Sequence, residues 1–453
     1  MNLHRLLRER QAEGRPVTVG LIGAGKFGAM FLAQARSTPG LHVLGIADLD
    51  LDRARKSLAL TGWPEEQIGA ASFDQARAEG TTHLCEDARA LIETGGLEVV
   101  IDATGDPAAG IRHALAASAH GRHMIMVNVE ADALAGPLLA RRAAESGCVY
   151  SLAYGDQPAL ICEQVDWARA AGFEVISAGK GTKYLPAYHA STPETVWDHY
   201  GFTEEEVKQG DFNPRMFNSF LDGTKSAIEM AAVCNATGLT PAPGGLGFPP
   251  AGVDDLGDVL RPASEGGALH HRGTVEVISC LKRDGGPIER HLRWGVYVAI
   301  EAPGDYARRC FVEYGLATDA SGRYSVMYRP YHLIGLELGI SVASAALLGE
   351  ATGAPSDFHA DVVAIAKRDL KAGEVLDGEG GGTVWGKLMP ATDALGLGGL
   401  PIGLAHHVKL RIDIATGDPV RWADVEIDEN LEAVRFRREM EAAFGHAVSD
   451  AAE

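Results

Sequence analysis

Four polar residues with helical spacing stand out in the middle of the sequence. Asp222, Lys225, Ser226 and Glu229 lie at positions i, i+3, i+4 and i+7, so one helix would place them on one face. A lysine beside a reacting oxygen can protonate a developing alkoxide, and a carboxylate can orient that lysine or tune its pKa. Asp222 and Lys225 are therefore a candidate catalytic pair. The solvated face of an amphipathic helix is the alternative explanation of this spacing.

Further cations surround this pair in the sequence. Lys180 and Lys183 lie in the segment 179–184, directly after a predicted strand, and ligands collect at the carboxyl edge of a parallel sheet. We count both as catalytic candidates. Arg215 and Arg329 are candidates for holding an anionic group of a substrate, and Glu229 is a further candidate substrate contact.

A divalent cation is compatible with these residues, although the sequence does not demand one. Asp222 and Glu229 offer the hard oxygen donors that Mg²⁺ and Mn²⁺ prefer. The sequence contains no dense carboxylate cluster, and we therefore assign no metal ligands.

A glycine-rich loop near the N-terminus predicts a dinucleotide site. It follows the apolar strand 17–22 and opens a helix, which is the context that gives the GxGxxG pattern its meaning. The first glycine allows the tight turn, the second lets a pyrophosphate approach the backbone, and the third lets helix and strand pack closely. The candidate cofactor-binding residues of the loop are Gly23, Gly25, Lys26, Phe27 and Gly28.

Polar residues at the ends of later strands extend this predicted site. Asp48 ends the second strand, where a carboxylate would accept hydrogen bonds from the adenosine ribose and favour NAD, whereas Arg53 or Arg55 could neutralise the 2′-phosphate of NADP. The cofactor is accordingly NAD or NADP. Further candidate contacts follow the third and fourth predicted strands, and turn chemistry explains them equally well: Thr104, Gly105 and Asn128.

The elements that must position these residues form three regions. Up to about residue 178, short β-branched runs alternate with Ala- and Arg-rich helical stretches, which predicts an α/β fold with a doubly wound parallel sheet, the Rossmann arrangement. We expect an α+β substrate and dimerisation domain over 179–354 and a separate module over 355–453. The predicted strands of the first region are 17–22, 42–47, 97–104, 123–128 and 148–153.

The second region is predicted in more detail. One long helix over 218–237 ends at Gly238 and Pro241, which are typical helix-stop residues. Strand-like runs at 274–283, 293–302, 310–318 and 323–330, separated by turn dipeptides, predict an antiparallel sheet. The run 333–348 then predicts a mostly buried helix.

Composition excludes several classes of partner. The chain has 453 residues, of which 61 are acidic and 41 basic, giving a formal charge of -20. Such a charge repels phosphate backbones and anionic lipid surfaces, so we expect neither nucleic acid nor a membrane as partner. The six cysteines are dispersed and the first residues lack an apolar signal sequence, which together predict a cytoplasmic protein acting on a small molecule.

Several of these motifs resemble those of homoserine dehydrogenase. The IDAT run at 101–104, GRHMIMVN at 121–128, GKGTKY at 179–184 and NPRMFNSFLDGTK at 213–225 are similar to segments of that family. The resemblance implies that Asp222 binds substrate and that Lys225 is the catalytic lysine. Where that family carries a lysine after the asparagine, this chain has Val129 and Glu130, so the likeness does not extend to homoserine itself.

Nearly the whole chain resembles the homoserine-dehydrogenase-like proteins that carry a C-terminal SAF domain. The likeness rests on GDQP at 155–158, DGTKSAIEM at 222–230, RPYHLIGLE at 329–337, and the runs 367–380 and 400–414. This group includes enzymes resembling 1-deoxy-D-xylulose 5-phosphate reductoisomerase, which form 2-C-methyl-D-erythritol 4-phosphate, an isoprenoid precursor. The resemblance implies NADPH, a divalent cation, a homodimer or larger homo-oligomer and a β-rich SAF-like C-terminal domain.

Three functions follow as hypotheses. The first is an NAD(P)-dependent oxidoreductase with reductoisomerase-like activity on a phosphorylated substrate. The second is a dehydrogenase of another sugar-derived or homoserine-like compound. The third, from a different class, is a dinucleotide-binding sensor or assembly protein without turnover.

Overall fold

The computed structural model describes residues 2–209 and 212–450, which divide into two compact units. Unit 1 contains Met1–Leu160 and His332–Ser356, and unit 2 contains Ile161–Tyr331 and Asp357–Glu453. The strands are β1 Val17–Ile22, β2 Leu41–Ala47, β3 His83–Cys85, β4 Val99–Asp102, β5 His123–Met126, β6 Tyr150–Leu152, β7 Glu174–Thr182, β8 Thr274–Ser279, β9 Val296–Glu301, β10 Tyr324–Arg329, β11 Ala360–Ala366, β12 Val375–Asp377, β13 Val384–Pro390, β14 His406–Leu410 and β15 Val425–Glu426.

Helices connect and cover these strands. No helix within the described ranges has both the length and the apolarity that crossing a bilayer requires. The α-helices are α1 Leu3–Ala12, α2 Lys26–Ala35, α3 Leu51–Leu60, α4 Phe73–Glu79, α5 Ala88–Glu93, α6 Pro107–Ala119, α7 Val129–Glu145, α8 Gln157–Ala170, α9 Val196–Tyr200, α10 Glu204–Gln209, α11 Pro214–Asp222, α12 Thr224–Thr237, α13 Leu256–Val259, α14 Asp305–Glu313, α15 Gly339–Leu348, α16 Ala391–Leu397 and α17 Glu432–Asp450.

Unit 1 is built on a six-stranded parallel sheet. Its strand order, β3-β2-β1-β4-β5-β6, confirms the predicted α/β class and doubly wound arrangement. Every residue of β1 and β4 is buried, as expected where helices cover both faces of a parallel sheet. The three-residue strand β3 was not predicted, because so short a run carries no periodic signal.

The helix α15 belongs to the core of unit 1. It is shorter than the predicted helix over 333–348, and Val342 and Ala343 pack in one cluster with Val19, Leu21 and Phe31. Gly335, at φ +77°, precedes this helix and lies against the backbone of α2. The chain therefore returns to unit 1 after residue 331, so the division differs from the predicted domain boundary at residue 354.

The sheet of unit 2 is mixed rather than antiparallel. Its order is β10-β9-β7-β8, in which β7 pairs parallel with β8 and antiparallel with β9. The segment 310–318 was predicted as a strand, but its first residues belong to helix α14. Phe311 is the buried residue of this helix, which is the pattern of a surface helix with one apolar face. Lys180 lies within β7, and β7 belongs to this sheet. The prediction that Lys180 directly follows a strand of the parallel sheet is therefore wrong.

The predicted helix over 218–237 is two helices. Gly223 stands between α11 and α12 at φ +94°, in the left-handed region that a helix cannot pass through. Asp222 thus ends one helix while Lys225 and Glu229 lie on the next. The prediction that all of them share one helix face is wrong for Asp222.

The C-terminal strands share a core with α12. Strands β11 and β13 form an antiparallel pair and β12, β14 and β15 a second small sheet. Helix α12 is buried on nearly every side and packs against β11 and β13, and the Asn235 side chain accepts hydrogen bonds from the His359 and Ala360 amides. Residues 357–453 therefore form one compact unit with 161–331, whereas the sequence suggested a separate module after residue 354.

Candidate functional site

The glycine turn of unit 1 has the geometry that its sequence predicts. Gly23 adopts φ +92°, and a Cβ there would lie 2.7 Å from the Ala103 carbonyl oxygen. A Cβ on Gly28 would overlap the Gly23 carbonyl oxygen. Gly25 differs from both, because a Cβ built on it meets no heavy atom within 4 Å. The outer two glycines are therefore required by packing, and the middle one keeps an open space beside the backbone.

This open space lies at the start of α2. Gly25 is the N-cap residue and no side chain caps the helix, which begins with Lys26 and Phe27. Helix N-termini carry partial positive charge and N–H groups that attract phosphate. The turn fits the pyrophosphate of a nicotinamide dinucleotide, and Gly23, Gly25, Lys26, Phe27 and Gly28 are the residues that would hold it.

Asp48 ties the turn to the following helix. Its carboxylate is buried and accepts hydrogen bonds from the Ala24 amide at 2.7 Å and the Asp50 amide at 2.9 Å. The Arg53 guanidinium, about half exposed, reaches the same carboxylate at 2.5 Å. Of the two arginines considered from the sequence, it is Arg53 that lies beside Asp48.

A second polar group forms at the end of β4. The buried carboxylate of Asp102 accepts hydrogen bonds from the Thr104 hydroxyl at 2.8 Å and from His113 Nδ1 at 2.6 Å. The Asn128 side chain donates to the Thr104 hydroxyl at 3.2 Å and to the Asp106 carbonyl at 2.7 Å. Gly105 adopts φ +71°. The predicted residues Thr104 and Asn128 are thus in contact. His113, which follows Asp102 by eleven residues, was not predicted from the sequence.

In unit 2, Asp222 is paired with a lysine that the sequence did not suggest. The Lys367 ammonium lies 2.7 Å from the carboxylate of Asp222, and both side chains are almost completely buried. Burial raises the pKa of Asp222, and the Lys367 ammonium opposes that rise. The sequence suggested Lys225 as the partner of Asp222, and the structure shows Lys367 in contact with that carboxylate.

Glu229 and Lys180 form a second buried ion pair between α12 and β7. The two carboxylates whose oxygens could have bound a divalent cation thus each bind a different ammonium group. No group of three or more histidine, cysteine or acidic side chains suited to a metal occurs among the described residues. Asp222 and Glu229 do not fit a divalent-cation site.

Two lysines of the predicted set remain partly accessible. Lys183 donates a hydrogen bond to the His199 carbonyl oxygen and lies 5.2 Å from the centre of the Tyr200 ring. Burial and the Arg293 guanidinium lower the pKa of Lys183. Lys225 is half-buried in the first turn of α12. Of the four predicted catalytic residues, these two are the ones that solvent reaches most easily.

The arginines proposed for substrate binding have local structural contacts. Arg215 donates to the carbonyl oxygens of Asp377 and Glu379, the latter at 3.2 Å, and so holds the glycine-rich loop 378–382. Arg329 is half-buried, and its guanidinium lies 4.9 Å from the centre of the Tyr331 ring. Arg215 is engaged by the protein itself, which argues against the anion-binding role predicted for it.

Unit 2 also contains a cavity of about 500 Å³ that sequence reasoning missed. His189 forms part of its wall: the ring Nδ1 donates to the Asp222 carbonyl at 2.7 Å, so Nε2 accepts from the Tyr184 hydroxyl at 2.8 Å. Burial lowers the pKa of His189, and the Lys367 and Lys387 ammonium groups add to this effect. In the sequence, the aromatic and basic residues that line this cavity are scattered, so they form no motif that predicts it.

Comparison with known proteins supports the enzyme class. Residues 155–338 match the family model described as the catalytic domain of oxidoreductase DRL, a range that covers β7 to β10 and helices α8 to α14. No curated protein matches the chain. The predicted class, an NAD(P)-dependent oxidoreductase, agrees with this match.

The solved structures that match this chain are distant in sequence. An NAD-binding oxidoreductase from Klebsiella pneumoniae is 19% identical over 38% of this chain and 44% of its own, with a TM-score of 0.28. A homoserine dehydrogenase from Thiobacillus denitrificans is 18% identical over 49% of each chain, with a TM-score of 0.35. The putative oxidoreductase yvaA from Bacillus subtilis is 10% identical over 75% of this chain and 91% of its own, with a TM-score of 0.38. The chain spans less than half of the length of the first of these.

Proposed function

We propose that this protein is an oxidoreductase that binds NAD or NADP on unit 1 and acts on a small polar substrate through unit 2. The observation that carries the proposal is the open glycine turn at Gly25, which leads into an uncapped helix. The match of residues 155–338 to an oxidoreductase catalytic domain supports it independently. A bound nicotinamide dinucleotide supplies or accepts a hydride.

Unit 2 would supply the proton chemistry. Lys225 is our first choice for the group that donates a proton to the substrate oxygen, because it is half-buried and lies one helical turn before Glu229. Lys180 holds Glu229 in place as its ion-pair partner. Asp222 is too deeply buried to contact substrate directly and acts by ending α11 beside Lys225. Lys183 and Arg329 are candidate cations for a substrate anion.

The finer assignment is a reductoisomerase-like activity on 1-deoxy-D-xylulose 5-phosphate. It is supported by the motif resemblance at 155–158, 222–230 and 329–337, and by the SAF-like runs of the C-terminal segment. Such a reaction rearranges the carbon skeleton to an aldehyde, which is then reduced. The alternative substrate is another sugar-derived or homoserine-like compound, and a panel of phosphorylated ketoses and homoserine precursors distinguishes the two through nucleotide consumption.

Cofactor binding is tested most directly at Gly25. Because a Cβ on Gly25 meets no heavy atom within 4 Å, Gly25→Val should fold normally, and its side chain should occupy the space expected for the pyrophosphate. We expect wild type to bind NADPH or NADH in a fluorescence titration and Gly25→Val to lose at least ~100-fold in affinity for both. Gly304→Val is the matched control, since that exposed glycine also has open space and extended backbone. Equal binding by wild type and Gly25→Val would refute the proposal.

The catalytic role of Lys225 has a separate test. Lys225→Met should abolish turnover on an identified substrate while NAD(P)H binding stays within about twofold of wild type, because removing a general acid commonly lowers the rate ~10²- to 10⁴-fold. Unchanged turnover would eliminate Lys225 as the proton donor. Binding without turnover in wild type on every substrate of the panel would instead favour a non-catalytic sensor.

A further inference from the structure

The cavity of unit 2 has the volume of a small-molecule site. Its volume of about 500 Å³ falls within the range of ligand pockets. Its lining residues come from two segments, 186–248 and 365–419. None of the proposed catalytic lysines, Lys180, Lys183 and Lys225, lines it. The residues that matter for its chemistry are His189, Phe248, Lys367, Trp385, Lys387 and Met389.

The charge of this cavity is opposite to that of the whole chain. The protein carries a formal charge of -20, yet no aspartate or glutamate belongs to the described cavity lining. Two lysines do belong to it. A cavity with cations and without carboxylates attracts anions even when the net charge of the protein is negative.

Only one of the two lysines can bind a ligand. The Lys367 ammonium donates all three of its hydrogens, to Asp222 Oδ2 and to the carbonyl oxygens of Ser191 and Gly381, each at 2.7 Å. Lys387 makes no hydrogen bond or ion pair within the part of the chain that the structure describes, and its stem lies against Gly245. The cavity therefore offers a single uncommitted positive charge.

The strand β13 aligns this charge with an aromatic wall. Trp385, Lys387 and Met389 alternate along the strand and so point to the same face. The His189 ring stacks on Trp385 with centroids 3.8 Å apart, and the Tyr184 ring stacks on Phe248 at 3.8 Å. Both nitrogens of the His189 ring already have partners within the protein, so this ring presents a flat neutral surface rather than a charge.

We propose that this cavity binds a small organic monoanion with a planar or apolar body, whose carboxylate pairs with Lys387 and whose body packs against Trp385 and Met389. The single free ammonium matches a single negative charge, and the mainly apolar wall matches an unsaturated or aromatic body. The proposal does not depend on the proposed redox function.

Binding of 2-naphthoate, compared with neutral 2-naphthamide, tests the proposal. Calorimetric titration of the full-length protein in low-chloride buffer should show saturable binding of the carboxylate, and weaker binding of the amide. Lys387→Met keeps the length of the side chain and removes its charge, so the affinity for 2-naphthoate should fall ~10- to 100-fold. Lys387→Arg should retain most of the affinity, and Lys409→Met, an exposed lysine of β14, should leave it unchanged.

Each remaining outcome contradicts the proposal. Equal affinity for the carboxylate and the amide would show that charge does not direct binding. Equal effects of Lys387→Met and Lys409→Met would remove Lys387 from the site. The absence of saturable 2-naphthoate binding up to about 10 mM would also overturn it. Thermal unfolding midpoints of the variants, together with Lys387→Arg, separate lost binding from lost folding.

Discussion

Asp132 is a buried carboxyl group in unit 1 whose protonation depends on pH near neutrality. It lies on α7, its Oδ1 accepts a hydrogen bond from the Tyr150 hydroxyl at 2.9 Å, and its Oδ2 has no hydrogen-bond partner among the described residues. Burial raises its pKa to about 7. In the unfolded chain an aspartate has a pKa of about 3.9, so the folded state retains a proton that the unfolded state releases between these values.

Stability should therefore fall as pH rises from about 4 to about 7, and then level off. The full effect of this one group is on the order of 4 kcal/mol. Asp132→Asn cannot ionise, so its free energy of unfolding should lack this slope, as measured by urea denaturation at pH 5 and pH 8. Asp166→Asn, at an exposed position of α8, is the control. Identical slopes in wild type and Asp132→Asn would contradict the argument.

We expect Arg53 to decide how Asp48 affects the choice between NAD and NADP. Its guanidinium lies beside the Asp48 carboxylate, where the adenosine ribose is expected. Arg53→Ala should weaken NADPH binding ~10- to 100-fold and change NADH binding little, because only NADPH carries the 2′-phosphate. Fluorescence titration with both nucleotides measures the ratio. Arg55→Ala, exposed on the same helix, should leave this ratio unchanged, and equal effects of the two substitutions would exclude a special role for Arg53.

At the scale of elements, the Asp222–Lys367 pair joins the break between α11 and α12 to the residue after β11. The Lys367 ammonium also holds the Ser191 carbonyl and the Gly381 carbonyl of the glycine-rich loop. The Asn218 side chain of α11 donates to the carbonyl oxygens of Gly380 and Gly381, which strengthens the same connection. The buried ammonium group of Lys367 therefore connects three other segments of the chain.

Removing that ammonium should destabilise unit 2 strongly. Lys367→Met leaves the Asp222 carboxylate buried without its cation, and breaking such a pair costs about 3–5 kcal/mol in unfolding free energy. Adding Asp222→Asn should recover part of this loss, because the neutral amide needs no counter-charge. Urea denaturation of the two single variants and the double variant measures the coupling. Lys371→Met, in an exposed pair with Asp413, is the control, and strictly additive effects of the two buried substitutions would contradict the coupling.

At the scale of the whole molecule, unit 1 is completed by a late segment of the chain. Val342 and Ala343 of α15 are fully buried in the same cluster as Val19 and Leu21 of β1. The backbone of Leu333 lies against Gly155, close to where the chain leaves unit 1. An N-terminal fragment that ends at residue 178 would therefore expose part of its own core.

A fragment of residues 1–178 should be poorly folded for this reason. A second fragment, in which residues 1–160 continue through a short Gly/Ser linker into residues 332–356, should unfold cooperatively and at a higher temperature. Thermal unfolding followed by circular dichroism compares the two. Replacing Val342 by Asp in the linked fragment supplies the control, because it abolishes the apolar contact. Equal melting of the linked fragment and the 1–178 fragment would show that α15 is dispensable for unit 1.

Local sequence patterns were sufficient for much of unit 1. The buried β-branched runs predicted the strands β1, β2, β4, β5 and β6, and the glycine spacing predicted the turn into α2. These predictions were correct because both structures depend on a few adjacent residues. A parallel strand buried on both faces requires an apolar run, and a tight turn requires glycine at fixed positions. The break at Gly223 was missed, because a glycine inside an otherwise helical pattern is tolerated in many helices.

The sequence by itself determined the parallel α/β class and the glycine turn after β1, and it supplied the candidate site residues. Only the tertiary structure decided their partners: Asp222 pairs with Lys367, 145 residues away, and Glu229 with Lys180, 49 residues away. It also decided that α15 returns to unit 1 and that Lys387 faces a cavity. The physical reason is that a buried charge must find an opposite charge nearby in space, and which one lies nearby depends on how distant segments pack.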